Sequence, residues 1–388
     1  MALAAARALA LDRSSEEKKK KTRRTMTAAE LREVEAALKA ASVEIHREIQ
    51  RHVGWTGETL DEFVKVHVGA KKEEKVNVSG DKVLALDDLA DKHIEDALAS
   101  CPLIAGFASE EREDFVSLNK DGKYIVVFDP LDGSQNVPVT ITVGAIYGVF
   151  EAKTLAQVKT GDEIVAAGYA LFSSALQFAF TTKETPVAFS QYDFATSEWV
   201  VFIADHKCPK KGKTYAINEG SCANWDPVVA TFVAQHLRGR SVRWMSCMVS
   251  DVHRQLLQGG AFMYPIDNKY PKGRLRLVYE AIPMAFIWER AGAGAALATT
   301  DGQRILDVPI GTDVHAKCGI MFLGEEEAAL FTKVRTKLPL WKGGSLEDKI
   351  KAKTTEQTKA AYKEVSLLRV ALVVGALFNV ALLIKHAR

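Results

Sequence analysis

The chain has few cysteines, no suitably spaced histidine pair and almost no net charge, and each absence removes a class of protein. Five cysteines among 388 residues make no disulfide framework, and none stands in a CxxC pair. A reducing, cytoplasmic compartment is the simpler expectation. No two histidines have the spacing of a zinc site. Lys plus Arg is 51 against 49 for Asp plus Glu, a formal net charge of +2. That balance argues against a nucleic-acid binder, which is normally clearly basic. No repeat of fixed period is present. What remains is 47% hydrophobic and 26% charged, the proportions of a globular protein rather than a disordered, collagenous or polytopic membrane one. The length suggests two domains, at about 100–200 residues each.

The two ends depart from this average. Near the start, Lys18 to Lys21 and Arg23-Arg24 follow the acids Glu16 and Glu17. A secretory signal would carry its positive charge before its apolar core, so residues 1–26 are expected to be a basic, disordered leader. At the other end an apolar run from Val370 to Ile384 is closed by Lys385-His386-Ala387-Arg388. It is shorter than the ~20 residues of a comfortable spanning helix, but counting from Val365 reaches that length if Arg369 snorkels. A linker and apolar helix over 341–388 is expected, acting as a tail anchor with membrane contact; the alternative is an amphipathic or partner-docking helix.

Between the ends, Thr27 and Glu30 have the spacing of a capping box, and Leu31, Val34, Leu38, Ala41, Ile45 and Ile49 then recur at helical spacing up to Gly54. A second helix is expected over 84–98, and Tyr124–Phe128 reads as a strand buried on both faces. Further strands are expected at 142–150, 166–172, 176–182, 198–204, 260–264 and 319–323, with another at 276–279. Helices are expected at 227–237, 249–258 and 283–292. The mixture predicts an α/β fold. The Lys- and Gly-rich stretch 207–213 divides it into domains 27–210 and 211–340.

The strongest chemical signal is Phe128-Asp129-Pro130-Leu131-Asp132-Gly133-Ser134 at a strand end. Two carboxylates three apart on a tight turn can converge on one hard cation with an intervening carbonyl, and the Gly133 and Ser134 amides can cradle a phosphate. Ser109-Glu110-Glu111, Asp81, Asp87 and Glu280 place further acids at element ends. Acids are rarely buried unless paired or metal-bound, and an oxygen-only set suits Mg²⁺ or Mn²⁺ rather than zinc. His253 reads as structural. Asn218, Arg243, Trp244, Tyr264, Lys269, Arg274 and Arg276 would make a basic, hydrogen-bonding pocket for a second phosphate.

Taken in order, these segments resemble the fructose-1,6-bisphosphatase family of Mg²⁺-dependent sugar phosphatases. The match runs from about Thr27 to Leu340 and includes Asn77 to Asp81, Ser109 to Glu111, Phe128 to Ser134, Ala166 to Leu171, Asn218 to Gly220, Met248 to Arg254, Gly259 to Pro265 and Lys272 to Glu280. The resemblance implies a layered α/β/α/β/α sugar-phosphatase fold with two domains, here with a C-terminal helical tail. It implies hydrolysis of the 1-phosphate of fructose 1,6-bisphosphate by in-line attack of an activated water, with two or three Mg²⁺ (or Mn²⁺) ions per site. Glu110, Asp129, the Leu131 carbonyl, Asp132 and Glu280 would be metal ligands, with Asp81 at an additional ion. Asp87 and Glu111 would orient and deprotonate the water. Asp132, Gly133 and Ser134 would meet the departing phosphate. Asn218, Tyr264 and Arg274 would hold the distal phosphate with Arg243 of a neighbouring subunit, in a homotetramer or homodimer, while Met248 and Leu275 lie along the sugar.

Departures from the family pattern fall in the distal pocket, at Ser221, Trp244 and Arg274, and at Gln135 beside the catalytic turn. Leu89 to Lys92 is also similar to sedoheptulose-1,7-bisphosphatase, which is the alternative activity. A catalytically inactive, membrane-tethered scaffold is the distant one. The family's AMP loop lacks its glycines here, and Glu151 stands where an Arg would meet the AMP phosphate, so AMP inhibition is expected to be weak or absent.

Overall fold

The computed structural model describes residues 28–51 and 85–338. Expectations placed on residues 1–26, Asp81, Gly54 and the run 370–384 lie outside them. Helix α1 (28–51) buries Leu31, Val34, Leu38, Ala41 and Ile45, the helically spaced set. The Glu30 carboxylate accepts from Lys123 Nζ and the Tyr124 hydroxyl, both at 2.7 Å, charge-assisted bonds that tie the start of α1 to residues 123–124; the capping box expected with Thr27 lies outside the described residues. Helix α2 spans Ala85–Ala99.

Both helices cover one face of an eight-stranded sheet ordered β2-β1-β3-β4-β5-β6-β7-β8. Its strands are β1 (Ile104–Ser109), β2 (Val116–Ser117), β3 (Tyr124–Asp132), β4 (Val143–Phe150), β5 (Ile164–Phe172), β6 (Leu176–Thr182), β7 (Val187–Asp193) and β8 (Glu198–His206). The β1–β3 pair is parallel and the others are antiparallel. Alternate residues of β3 serve opposite faces. Tyr124, Val126 and Phe128 join the α1/α2 core, while Ile125 and Val127 join the core beyond. This double burial is why the segment is apolar at every position.

The second core holds two central helices and one face of a second sheet. That sheet has the order β10-β9-β11-β15-β13, with β9 (Thr214–Ile217), β10 (Ser241–Val242), β11 (Ala261–Tyr264), β13 (Ala295–Leu297) and β15 (Ile320–Leu323). Between them, β12 (Leu275–Arg276) and β14 (Lys317–Cys318) form a two-stranded ribbon. Counting helices onward, α3 is Pro227–Phe232, α4 Met248–Gln258, α5 Ile282–Arg290 and α6 Glu325–Arg335. Val249, Val252 and Leu256 of α4 and Met284 and Trp288 of α5 meet Ile125 and Val127 on one side and Phe262 and Phe322 on the other. Phe232 of α3 and Phe331 of α6 cover the far side of the second sheet. The layers are therefore α/β/α/β/α, as expected.

Two elements differ from the sequence expectation. The strand expected to Tyr279 ends at Arg276, and Leu277–Ala281 form a wide helical turn leading into α5. Across this turn the Arg276 amide donates to Glu280 Oε2, and Pro283 has no amide with which to extend regular pairing. The helix expected over 227–237 is α-helical to Phe232 and then widens over Val233–Leu237. Strands β7 and β9 and helix α6 were not expected. Among the described residues no helix is long and apolar enough to cross a membrane.

Candidate metal and phosphate site

Strand β3 delivers two acids at its C-terminal end. Asp129 and Asp132, three apart, would face opposite sides of a regular strand. Opposite them β4 advances only from Ile146 to Gly144, so β3 carries one extra residue, a bulge that turns both carboxylates the same way. Glu280 arrives from the wide turn before α5. One oxygen from each of Asp129, Asp132 and Glu280 lies within 4.8 Å of the others, and all three side chains are buried. Leu131, between the two aspartates, donates its amide to Asp129 Oδ1 at 3.0 Å.

Arg276 is buried here too. It pairs with Glu110 and lies 3.7 Å from Glu280. It therefore does not belong to the phosphate-facing basic pocket in which the sequence reading placed it. A cluster of buried carboxylates needs an internal counter-charge, and Arg276 supplies it. That single charge is insufficient. Burial, then repulsion from Glu110, Glu280 and Asp132, holds the Asp129 carboxyl well above the usual range. Burial pushes Asp132 up to about 6 against the pull of the Val249 amide and the Cys247 thiol. It pushes Glu280 up to about 8 despite Arg276. Buried, mutually repelling and oxygen-only, the set fits a hard divalent cation such as Mg²⁺ or Mn²⁺.

A pH dependence follows from the sign of these shifts. Folded-state values raised above the unfolded ones contribute stability at low pH, and that contribution is lost as pH rises through about 6 and about 8. Resistance to thermal unfolding in chelator is expected to weaken as pH rises across this window. A bound cation replaces the protons, so the gain in Tm on adding Mg²⁺ should be larger at pH 8 than at pH 6. An equal gain at both would show that the carboxylates do not bind it.

The N-terminus of α4 points at the cluster. Asp132 Oδ2 accepts the Val249 amide at 2.6 Å and the Cys247 thiol at 3.2 Å, where the helix dipole favours negative charge. Gly133 has φ +77°, and a Cβ there would come within 2.7 Å of Cys247 Cβ, so no other residue fits without displacement. Gly133 and Ser134 open the short helical segment Ser134–Val139.

The remaining expected residues divide into two groups. Glu111 follows Glu110 on the turn after β1, and its amide donates to Ser109 Oγ at 3.2 Å. Asp87 is buried in the first turn of α2. In the second group burial raises the pKa of the Tyr264 hydroxyl, keeping it a neutral donor, and Asn218 Oδ1 accepts the Gly220 amide at 3.1 Å. The Arg274 guanidinium lies 5.5 Å from the Tyr264 ring and 4.6 Å from that of Tyr270, in cation–π range. Trp244 meets Tyr264 edge-on at 5.2 Å. Arg243 is exposed, with its guanidinium on the Val242 carbonyl at 2.8 Å. Met248 is buried at the start of α4, and Leu275, half-buried, pairs with Cys318.

His253 bonds the Tyr169 hydroxyl at 2.8 Å and packs edge-on against Tyr169 and Phe189. Burial pushes it down to about 4, in keeping with a structural role. Two groups at the N-terminal end of α4 were missed. One is Cys247. The other is Asp251, pushed up to about 7 by burial, whose two oxygens accept the Met245 amide at 3.1 and 3.0 Å. No local spacing connects Cys247 with Asp132, which lie 115 residues apart.

Comparison with known proteins places this geometry. Residues 11–203 match the family described as "Fructose-1-6-bisphosphatase, N-terminal domain" and residues 208–335 match "Fructose-1-6-bisphosphatase, C-terminal domain". The chain is 38% identical over 276 residues to the cytosolic fructose-1,6-bisphosphatase of Brassica napus, covering 66% of this chain and 80% of that one. It is 35% identical over 277 residues to fructose-1,6-bisphosphatase 1 of Bos taurus, covering 67% and 80%. Among solved structures, Leishmania major fructose-1,6-bisphosphatase in holo form superposes with a TM-score of 0.70 at 29% identity, covering 79% of this chain and 94% of that one.

Proposed function

Because the chain belongs to the fructose-1,6-bisphosphatase family of phosphoric monoester hydrolases, we propose that it hydrolyses the 1-phosphate of fructose 1,6-bisphosphate to fructose 6-phosphate and phosphate. The observation that carries this reading is the convergence of Asp129, Asp132 and Glu280. Those three, with Glu110, the Leu131 carbonyl and Asp81, would hold two or three Mg²⁺ or Mn²⁺ ions. When bound, the cations neutralise the phosphate oxygens and stabilise charge on the attacking and leaving oxygens.

The chain's own groups do the rest. Asp87 and Glu111 orient the attacking water and take its proton. The Gly133 and Ser134 amides cradle the 1-phosphate beside Asp132. Asn218, Tyr264 and Arg274, with Arg243 of the partner subunit, bind the 6-phosphate, and that remote binding fixes the sugar for in-line attack. Met248 and Leu275 flank the ring. A homotetramer or homodimer belongs to this reading. Strand β8 is a sheet edge that exposes Val200, Val201 and Phe202, apolar surface of the kind a second copy covers.

The test is kcat/KM for fructose 1,6-bisphosphate and sedoheptulose 1,7-bisphosphate side by side, with Mg²⁺ and with chelator. Mg²⁺-dependent turnover with preference for the fructose substrate is expected. Preference for the seven-carbon sugar would transfer the assignment to the sedoheptulose activity.

Regulation by AMP is not part of the proposal. Lys123 Nζ lies 2.7 Å from Glu30 and 3.8 Å from Glu151, and Tyr124 also donates to Glu30. The groups that would meet a nucleotide phosphate are thus occupied by two acids that repel it. An AMP titration is expected to leave the rate unchanged through the micromolar range.

A further inference from the structure

The turn carrying Glu110 and Glu111 must keep a fixed place relative to Glu280, which comes from a segment far along the chain. Contacts from two sides grip it. From α2, buried Asp91 accepts the Ser109 hydroxyl at 2.5 Å and Arg112 Nε at 2.6 Å, while Arg112 also reaches Glu95 at 3.0 Å. Ser109 in turn accepts the Glu111 amide. From the opposite side, His315 Nε2 lies 3.0 Å from the Arg112 carbonyl and His315 Nδ1 lies 2.8 Å from the Tyr279 hydroxyl. A carbonyl only accepts, so Nε2 carries the hydrogen, and in the neutral ring Nδ1 accepts from the Tyr279 hydroxyl. Asp313 Oδ1 accepts the His315 amide at 2.9 Å and steadies the loop that presents the ring. The imidazole thus joins the main chain one residue beyond Glu111 to the side chain one residue before Glu280.

We propose that His315 is a positioning residue: by linking the Arg112 carbonyl to the Tyr279 hydroxyl it sets the register between the Glu110–Glu111 turn and Glu280, and so the spacing of acids contributed by the two halves of the chain. The inference rests on the function proposed above, which gives those acids their roles. The Arg276–Glu110 ion pair draws the same two segments together. An ion pair tolerates a range of geometries, however, whereas a ring bonded at both nitrogens does not.

The test uses the full chain and four variants: His315→Ala, His315→Gln, Tyr279→Phe and the double variant His315→Ala with Tyr279→Phe. Outer partners of metal ligands typically contribute about 10–100-fold to affinity or activity. His315→Ala and Tyr279→Phe are each expected to lower kcat within that range, with KM for fructose 1,6-bisphosphate nearly unchanged. The double variant should be little worse than either single one, because both break one chain of contacts. His315→Gln, whose amide can donate to the Arg112 carbonyl, should recover part of the loss.

Mn²⁺ binding to the substrate-free proteins, followed by electron paramagnetic resonance, should weaken in parallel. Tyr279→Phe keeps the ring in place, so it reports even if His315→Ala fails to fold. Wild-type kcat and Mn²⁺ affinity in Tyr279→Phe and in folded His315→Ala would overturn the proposal. An inactive wild type whose Mn²⁺ binding is nonetheless weakened by both variants would instead overturn the assigned reaction and leave the positioning role standing.

Discussion

Asp132→Asn is expected to reduce kcat on the order of 10³-fold or more, equivalent to about 4 kcal/mol, while leaving a folded protein. The amide oxygen can still accept the Val249 amide that Asp132 Oδ2 accepts at 2.6 Å, so the α4 contact persists. What is lost is one negative charge from a cluster where burial and neighbouring carboxylates already push Asp132 up to about 6. Two outcomes with opposite signs follow. Without cation, the variant should be at least as stable as the wild type at pH 8, because repulsion has been relieved. With excess Mg²⁺, most of the wild type's Tm gain should be missing. At a cation concentration about 100 times its Kd, that gain corresponds to about 2.7 kcal/mol. A fully active Asp132→Asn would remove the cluster from the chemistry.

Arg276→Met should do the reverse to stability. Arg276 is buried between Glu110 and Glu280, and removing one partner of a buried ion pair typically costs about 3–5 kcal/mol because the other charge is left unpaired. Here several carboxylates are left, so the loss in chelator should lie at the upper end. A divalent cation is the alternative counter-charge. Mg²⁺ should therefore stabilise Arg276→Met more than it stabilises the wild type, as read by urea unfolding in chelator and in excess Mg²⁺. An equal effect on both would mean that Arg276 and the cation do not answer the same charge.

The strands and helices that position the site were legible wherever one period dominated the chain. Leu31 to Ile49 announced α1, and Tyr124 to Phe128 announced the strand buried on both faces. The layered order of helices and sheets followed from the alternation. Short strands of the second sheet such as Thr214–Ile217 were missed because four residues carry too little pattern. The wide turns at Leu277–Ala281 and Val233–Leu237 were missed because an i→i+5 turn has no signature distinct from its flanks.

In the site, Asp129 and Asp132 were legible from the turn residues around them. Arg276 was assigned to the wrong partner, since a basic loop and an internal counter-ion look alike in one dimension. Asp91, Cys247 and His315 were invisible as site residues. Each acts through a contact with a distant part of the chain, to Ser109, Asp132 and Tyr279 respectively.

The bulge at the end of β3 sets a problem of timing. Glu110, Asp129 and Asp132 emerge during synthesis well before Arg276, Glu280 and β15, the strand that β11 and β13 both require as a neighbour. Until then the first sheet presents uncompensated acids, and pairing across so much chain is slow to close. Burial of the cluster is therefore expected late in synthesis, once Glu280 and β15 have been made. The cation should accordingly slow unfolding of the finished protein far more than it hastens folding.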